Sequence, residues 1–313
     1  MGGRLSTAFG ALAIMMGAVL NTGAAPVFSQ SSPRVARPPL VSIRPARFRL
    51  DKFRGLLVQA WVNGAGPYVF AIDTGAGLNL IADRVVQAAR LPVKTTQTTL
   101  LGGLTGVRGS TNRAAEINQL ALGDSSNLLP SKQTALVVSL PPNLDGILDP
   151  TEAYTPHGYS IDIPNELIEA FSGSLEGRQP PDGGAIVSWL RRDDGNRPFV
   201  KLRDGRAALL DTGSGFGLAV SERDAVIIGS NQRTAKTATA RNIRDIGGGN
   251  ISSRRVAPTT VSIGELELRG VPTDILFGVE VGAPVILGRD ALHPFKITFD
   301  PHRRLIEFEP QNR

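Results

Sequence analysis

From about Arg47 onward, apolar residues come in short bursts that end in clusters of glycine, asparagine, aspartate or proline. That pattern predicts strands and hairpins rather than long helices. Two bursts stand out. Pro67 to Ile72 and Arg206 to Leu210 each read as a short buried strand, and each runs directly into an aspartate, Asp73 and Asp211. A turn precedes each burst, at Asn63-Gly64 and Asp204-Gly205, with Val58 to Val62 and Phe199 to Leu202 before it, so a hairpin is expected to deliver each aspartate. Downstream, Ala82 to Leu91 and Val220 to Ile228 have the spacing of short helices, and each half closes on a second hairpin: Tyr159 to Asp162 into Leu167 to Glu169, and Ile297 to Asp300 into Leu305 to Glu307.

The two halves repeat in register. Asp73 and Asp211 are 138 residues apart, as are Asp162 and Asp300, while Leu148 and Leu287 are 139 apart. An internal repeat of this kind indicates two copies of one structural unit, and with only two copies the natural arrangement is a pseudo-two-fold pair. Each aspartate opens the same tripeptide, Asp73-Thr74-Gly75 and Asp211-Thr212-Gly213. A chain of ordinary composition would hold one such tripeptide by chance with a probability of roughly 0.1. Two in matching settings point to one shared site.

At these residues the chain resembles the aspartic protease superfamily of pepsins and retropepsins. The likeness rests on the two Asp-Thr-Gly motifs and on the downstream segments Ile147-Leu148-Asp149 and Ile286-Leu287-Gly288, the latter continuing as Gly288-Arg289-Asp290 in the retropepsin manner. It runs from about Arg47 to Glu309. The resemblance implies an all-β fold of two tandem retropepsin-like barrel lobes related by a pseudo-two-fold, a cleft between them, and a flap over an extended peptide. Both lobes would lie in one chain, so a monomer would carry the whole site. The flap is expected at Gly102, Gly103, Leu104, Thr105 and Gly106, after a threonine-rich strand, with Ile243 to Asn250 as its equivalent.

The chemistry can be argued from the carboxylates themselves. Hydrolysis by water needs a base to activate the water and an acid for the carbonyl oxygen or departing nitrogen. Two carboxyls held about 3 Å apart cannot both ionise, so the pair keeps one proton and supplies both roles, as aspartic proteases do. No metal, thiol or other cofactor is required. The threonine hydroxyls can bond across the pseudo-dyad, and the glycines let backbone approach the carboxylates. Ala76 against Ser214 breaks the symmetry: a Ser214 hydroxyl donating to Asp211 would leave Asp73 as the proton carrier. Asp149 stands where the family has glycine, and could disturb the dyad or pair with an arginine away from it. A catalytically inactive envelope protein that binds peptide or another ligand in the cleft is the alternative to an endopeptidase.

Other chemistries find little support. Gly213-Ser214-Gly215-Phe216-Gly217 has leucine at position 218 where a dinucleotide loop needs glycine, and His157, His293 and His302 lack metal-ligand spacing. Cysteine is absent, which excludes thiol catalysis, zinc-thiolate sites and disulfides. Residues 1–25, with Arg4 before an apolar stretch and small residues at the end, read as a secretory signal of an exported protein, bacterial periplasmic or secreted, with no membrane span after cleavage. Residues 26–46 form a Pro/Arg-rich linker, 47–171 the first lobe, 172–184 an interlobe linker, and 185–310 the second lobe. The net charge of +6 reflects scattered arginines with few aromatics, which argues against nucleic acid; a peptide or protein substrate is what the resemblance to aspartic proteases implies.

Overall fold

A computed structural model of the chain describes residues 43–192, 195–225 and 240–311, with backbone alone for 240–244. The expected signal at 1–25, the expected linker as far as residue 42 and the end of the expected helix Val220 to Ile228 lie outside the described residues. The first half comprises β1 (Ala46–Asp51), β2 (Gly55–Val62), β3 (Ala65–Ile72), β4 (Asn79–Ala82), α1 (Asp83–Ala88), β5 (Val93–Gly102), β6 (Arg108–Ile117), β7 (Leu120–Leu122), β8 (Gln133–Val138), β9 (Gly146–Leu148), α2 (Pro150–Ala153), β10 (Gly158–Asp162) and β11 (Leu167–Phe171). The second comprises β12 (Ala185–Ser188), β13 (Leu190–Arg192), β14 (Gly195–Lys201), β15 (Ala207–Asp211), β16 (Leu218–Ser221), α3 (Glu222–Ala225), β17 (Ala240–Arg244), β18 (Asn250–Ile263), β19 (Leu266–Phe277), β20 (Val285–Gly288), α4 (Arg289–Leu292), β21 (Phe295–Asp300) and β22 (Leu305–Pro310). The described chain is therefore nearly all β, as the apolar bursts imply.

The turn chemistry acts where it was expected. Asn63 and Gly64 both take left-handed backbone, φ 49° and 81°, which closes β2 onto β3 with the twist a two-residue hairpin needs. The helices are shorter than their spacing suggests. Ala82 is the last residue of β4, and Val220 lies inside β16, because pairing with β8 and β9, and with β19 and β20, satisfies those backbones and buries their side chains first. α1 then ends before Arg90, whose φ of 50° cannot continue a helix.

Strand order repeats between the halves. β2-β3-β9-β4-β8-β6-β5 in the first corresponds place for place to β14-β15-β20-β16-β19-β18-β17 in the second. In each, the strand that ends at the aspartate runs parallel to the later apolar strand: Ile72 opposite Leu148, and Leu210 opposite Leu287. A further sheet draws on both halves, ordered β12-β22-β21-β10-β11 and continuing through β1. There β10 pairs antiparallel with β21, Ser160 opposite Thr298, and their hydroxyls meet at 2.8 Å. Beneath this junction Tyr159 stacks on Phe299 with centroids 4.6 Å apart, flanked by Tyr154 and Trp189, so one buried aromatic file crosses from one half to the other. The described residues all fall in one compact unit. The expected linker at 172–184 is itself anchored: Leu175 is buried and its N–H donates to Asp300 Oδ2 at 3.1 Å.

Candidate active site

The ends of β3 and β15 meet. Asp73 N–H donates to Leu148 O at 2.9 Å, while Asp211 lies opposite Gly288 in the parallel register, so each aspartate is fixed by the neighbouring strand of its own half. The residues after them are fixed by the other half. Thr74 Oγ1 donates to Leu210 O at 2.7 Å and Thr212 Oγ1 donates to Ile72 O at 3.0 Å. The amide of each threonine donates to the hydroxyl of the other, at 3.1 Å in both directions. Both threonines are fully buried, so every one of these groups would be unsatisfied if the loops separated.

That cross-tie brings the carboxyls together. A Cβ on Gly75 would stand 2.8 Å from Asp211 Cγ, and one on Gly213 would stand 2.5 Å from Asp73 Cγ, so each carboxyl occupies space that only a glycine in the opposite loop leaves open. Each carboxyl perturbs the titration of the other. Residues 58–148 match the aspartyl protease family. The match runs from within β2 to the end of β9, takes in the first Asp-Thr-Gly and the expected flap, and supports assignment to the aspartic protease superfamily. A search of curated proteins returns no significant match. The second half lies outside the matched span, and its likeness to the aspartyl protease region rests on the strand order and register above.

The two aspartates differ in their surroundings. Asp73 Oδ1 accepts from Gly75 N at 2.8 Å, and Asp211 Oδ1 accepts from Ser214 N at 3.0 Å. Burial and then the charge of Asp211 push Asp73 well above the usual carboxylate range. Burial raises Asp211 too, but the Ser214 amide, the neighbouring Asp73 side chain and the guanidinium of Arg289 pull it back. The expected donation from the Ser214 hydroxyl to Asp211 is not made. Ser214 Oγ instead accepts from Phe216 N at 3.4 Å, because the turn after Gly213 folds the hydroxyl back along its own backbone, and the amide takes over the role.

Asp149 neither pairs with an arginine nor interrupts the supporting strand. It caps the N-terminus of α2, accepting from Thr151 N at 2.9 Å, and its own N–H donates to Asn79 Oδ1 at 2.9 Å. It is 1% exposed, and its Oδ2 has no hydrogen-bond partner. Burial pushes its carboxyl up to about 7.

The expected flap residues form the tip of the β5–β6 hairpin, with Gly106 in left-handed backbone at φ 75°. Its equivalent is the β17–β18 hairpin, and the two tips touch. Thr105 donates to Asp245 Oδ2 from its amide at 3.0 Å and from its hydroxyl at 2.6 Å, and Gly249 N donates to Asp245 Oδ1 at 2.8 Å. Arg108 donates to both carboxylate oxygens of Glu280 at 3.0 Å, and Glu280 N donates to Leu104 O at 2.8 Å. Leu104 packs against Phe216, Ala219, Ile251, Leu276 and Ile286 of the second half. Glycine spacing indicated both tips, and Asp245 lies within the expected second one; its pairing with Thr105, and that of Glu280 with Arg108, carried no sequence signal, since the partners lie 140 and 172 residues apart. Among the described residues no group of three or more His, Asp or Glu side chains is arranged to hold a metal, and no helix is long and apolar enough to cross a membrane.

Proposed function

We propose that this chain is an aspartic endopeptidase whose catalytic pair is Asp73 and Asp211, set between two retropepsin-like lobes related by a pseudo-two-fold axis. The observation that carries this reading is the reciprocal tie between Thr74 and Thr212, which holds the two carboxyls face to face. The axis is supported by equivalent residues touching each other: Thr74 with Thr212, and Ser160 with Thr298, each 138 residues apart. Only residues near a two-fold axis can meet their own equivalents.

With one proton on the pair, the ionised carboxylate takes a proton from a bound water as its oxygen attacks the peptide carbonyl carbon, while the protonated partner gives its proton to the carbonyl oxygen. The resulting tetrahedral diol collapses as its C–N bond breaks, the nitrogen taking a proton from the acid formed in the first step while the other carboxylate takes one from a diol hydroxyl. The second step restores a singly protonated pair. An extended peptide would lie under the β5–β6 tip, with Leu104 and its apolar neighbours beside it.

The test is cleavage of a diverse peptide library between about pH 3 and pH 7, the range over which a carboxyl pair shares one proton, by the native protein and by Asp73→Asn in parallel. Hydrolysis by the native protein alone, blocked by a statine-type inhibitor, is expected. No hydrolysis, with the inhibitor still bound, would instead indicate a cleft that holds peptides without cutting them.

A further inference from the structure

Arginines are dispersed along the chain, but its excess charge is concentrated in one place. From Arg34 to Arg54 there are seven Lys or Arg and a single acid, Asp51, while the rest of the sequence balances, with 27 Lys and Arg against 27 Asp and Glu. The described part of this stretch runs into the β1–β2 hairpin. The two strands pair from Phe48 opposite Val58 to Asp51 opposite Gly55, which leaves Lys52, Phe53 and Arg54 as the loop. Its backbone is held from within and from below: Asp51 Oδ1 accepts from Phe53 N and Arg54 N at 3.0 Å each, and Lys52 O accepts from the buried Arg289 guanidinium at 3.3 Å.

The side chains are left to water. Phe53 is 88% exposed, more than any other large apolar residue described, and Lys52 Nζ stands 5.8 Å from its ring centroid. Arg47 and Arg49 lie on the outer face of β1, since Ala46 and Phe48 turn to the core and successive residues of a strand alternate. Among the described residues no ion pair holds Arg47, Arg49, Lys52 or Arg54. With Asp51 and Glu166 both counted, the latter accepting from Leu50 N at 3.3 Å, these four cations keep an excess of two positive charges.

We infer that the β1–β2 hairpin docks on an anionic lipid bilayer, with Phe53 entering the headgroup region and the four cations against the lipid phosphates. An exposed aromatic or a basic strand face is ordinary by itself. Together they select the partner. An acidic peptide satisfies the cations and leaves the ring in water, whereas a bilayer presents anionic charge with hydrocarbon directly beneath it. The fixed turn also means that docking orders little backbone. Val281 supplies the contrast: it is 82% exposed on the loop after β19, but its neighbour Glu280 is an acid, and Arg108 beside it is already paired. The inference is independent of the proposed hydrolysis.

The experiment is sedimentation of the full chain with vesicles of phosphatidylcholine alone and of phosphatidylcholine mixed with phosphatidylglycerol. Each cation near an anionic surface is worth about fivefold in binding, and salt screens that attraction over about 10 Å at 0.1 M. Native protein should therefore bind the mixed vesicles at least about tenfold more tightly than the neutral ones, and less so as salt rises. Phe53→Ala should weaken that binding about fivefold or more, and Arg49→Gln with Lys52→Gln about twentyfold, with circular dichroism unchanged because all three residues are exposed. Since the chain has no cysteine, Phe53→Cys can carry a single NBD dye, whose emission should shift to the blue on the mixed vesicles, while the same dye on Val281→Cys should not respond. No binding, equal binding to both vesicles, binding indifferent to both sets of variants, or a silent dye at position 53 would each overturn the inference. So would loss of binding in the double variant alone with equal retention on polyglutamate beads, which would assign the surface to acidic polymers.

Discussion

Replacing Asp149 by asparagine should stabilise the protein at neutral and alkaline pH and do almost nothing in acid. The folded carboxyl titrates at about 7 against an ordinary value of 3.8, and the side chain is 1% exposed, so solvent screening offers little relief. Between those values the folded state holds a proton that the unfolded state has released, so stability falls as pH rises from about 4 and levels off above about 7. A gap of about three units at 1.36 kcal/mol each gives an upper bound of about 4 kcal/mol, and local relaxation brings the expected gain to about 2–4 kcal/mol at pH 8. Asparagine copies the neutral carboxyl: its oxygen can still accept from Thr151 N and keep the cap. Urea unfolding of both proteins at pH 4 and pH 8 measures the difference directly, and the raised titrations of Asp73 and Asp211 largely cancel in the comparison. An equal gain at both pH values, or none at pH 8, would refute the claim that Asp149 is buried as an unpaired acid.

Further outcomes follow from the same geometry. Asp73→Asn and Asp211→Asn should each lower kcat by at least about a hundredfold while leaving the circular dichroism spectrum unchanged, since each removes an acid or base from the proposed pair. Thr212→Val should cost about 2–4 kcal/mol in thermal or urea unfolding, because Ile72 O and Thr74 N both lose a buried partner while volume is kept. Gly213→Ala should cost activity far beyond any loss of stability, read as kcat against Tm, since its Cβ would displace the Asp73 carboxyl. Burial alone would raise Asp245, but the Thr105 hydroxyl and amide and the Gly249 and Gly248 amides hold it below the usual range. The tip contact should therefore persist above that range and be lost only as pH falls through the depressed value, and Asp245→Ala should speed amide hydrogen exchange at Thr105 at every pH above it.

Much of this protein is legible in its sequence. The apolar bursts, the Asn63-Gly64 and Asp204-Gly205 turns and the repeated Asp-Thr-Gly act through contacts a few residues apart, so they fix strand type, hairpin closure and the 138-residue repeat without knowledge of the rest of the chain. The glycines of the β5–β6 tip are legible for the same reason. What the tertiary structure decided depends on groups that local rules cannot see. Ala82 and Val220 entered strands rather than helices because partners elsewhere claimed their backbones. Ser214 turned its hydroxyl away and offered its amide. Asp149 became a buried cap because Asn79 lay ready to receive it, while Gly288 had carbonyls pressed against the same place. Thr105 found Asp245, and Thr74 found Thr212, across about 140 residues of chain. A sequence specifies such side chains but not their register against one another. Register between distant segments is settled only when burial makes one arrangement satisfy every hydrogen-bonding group at once.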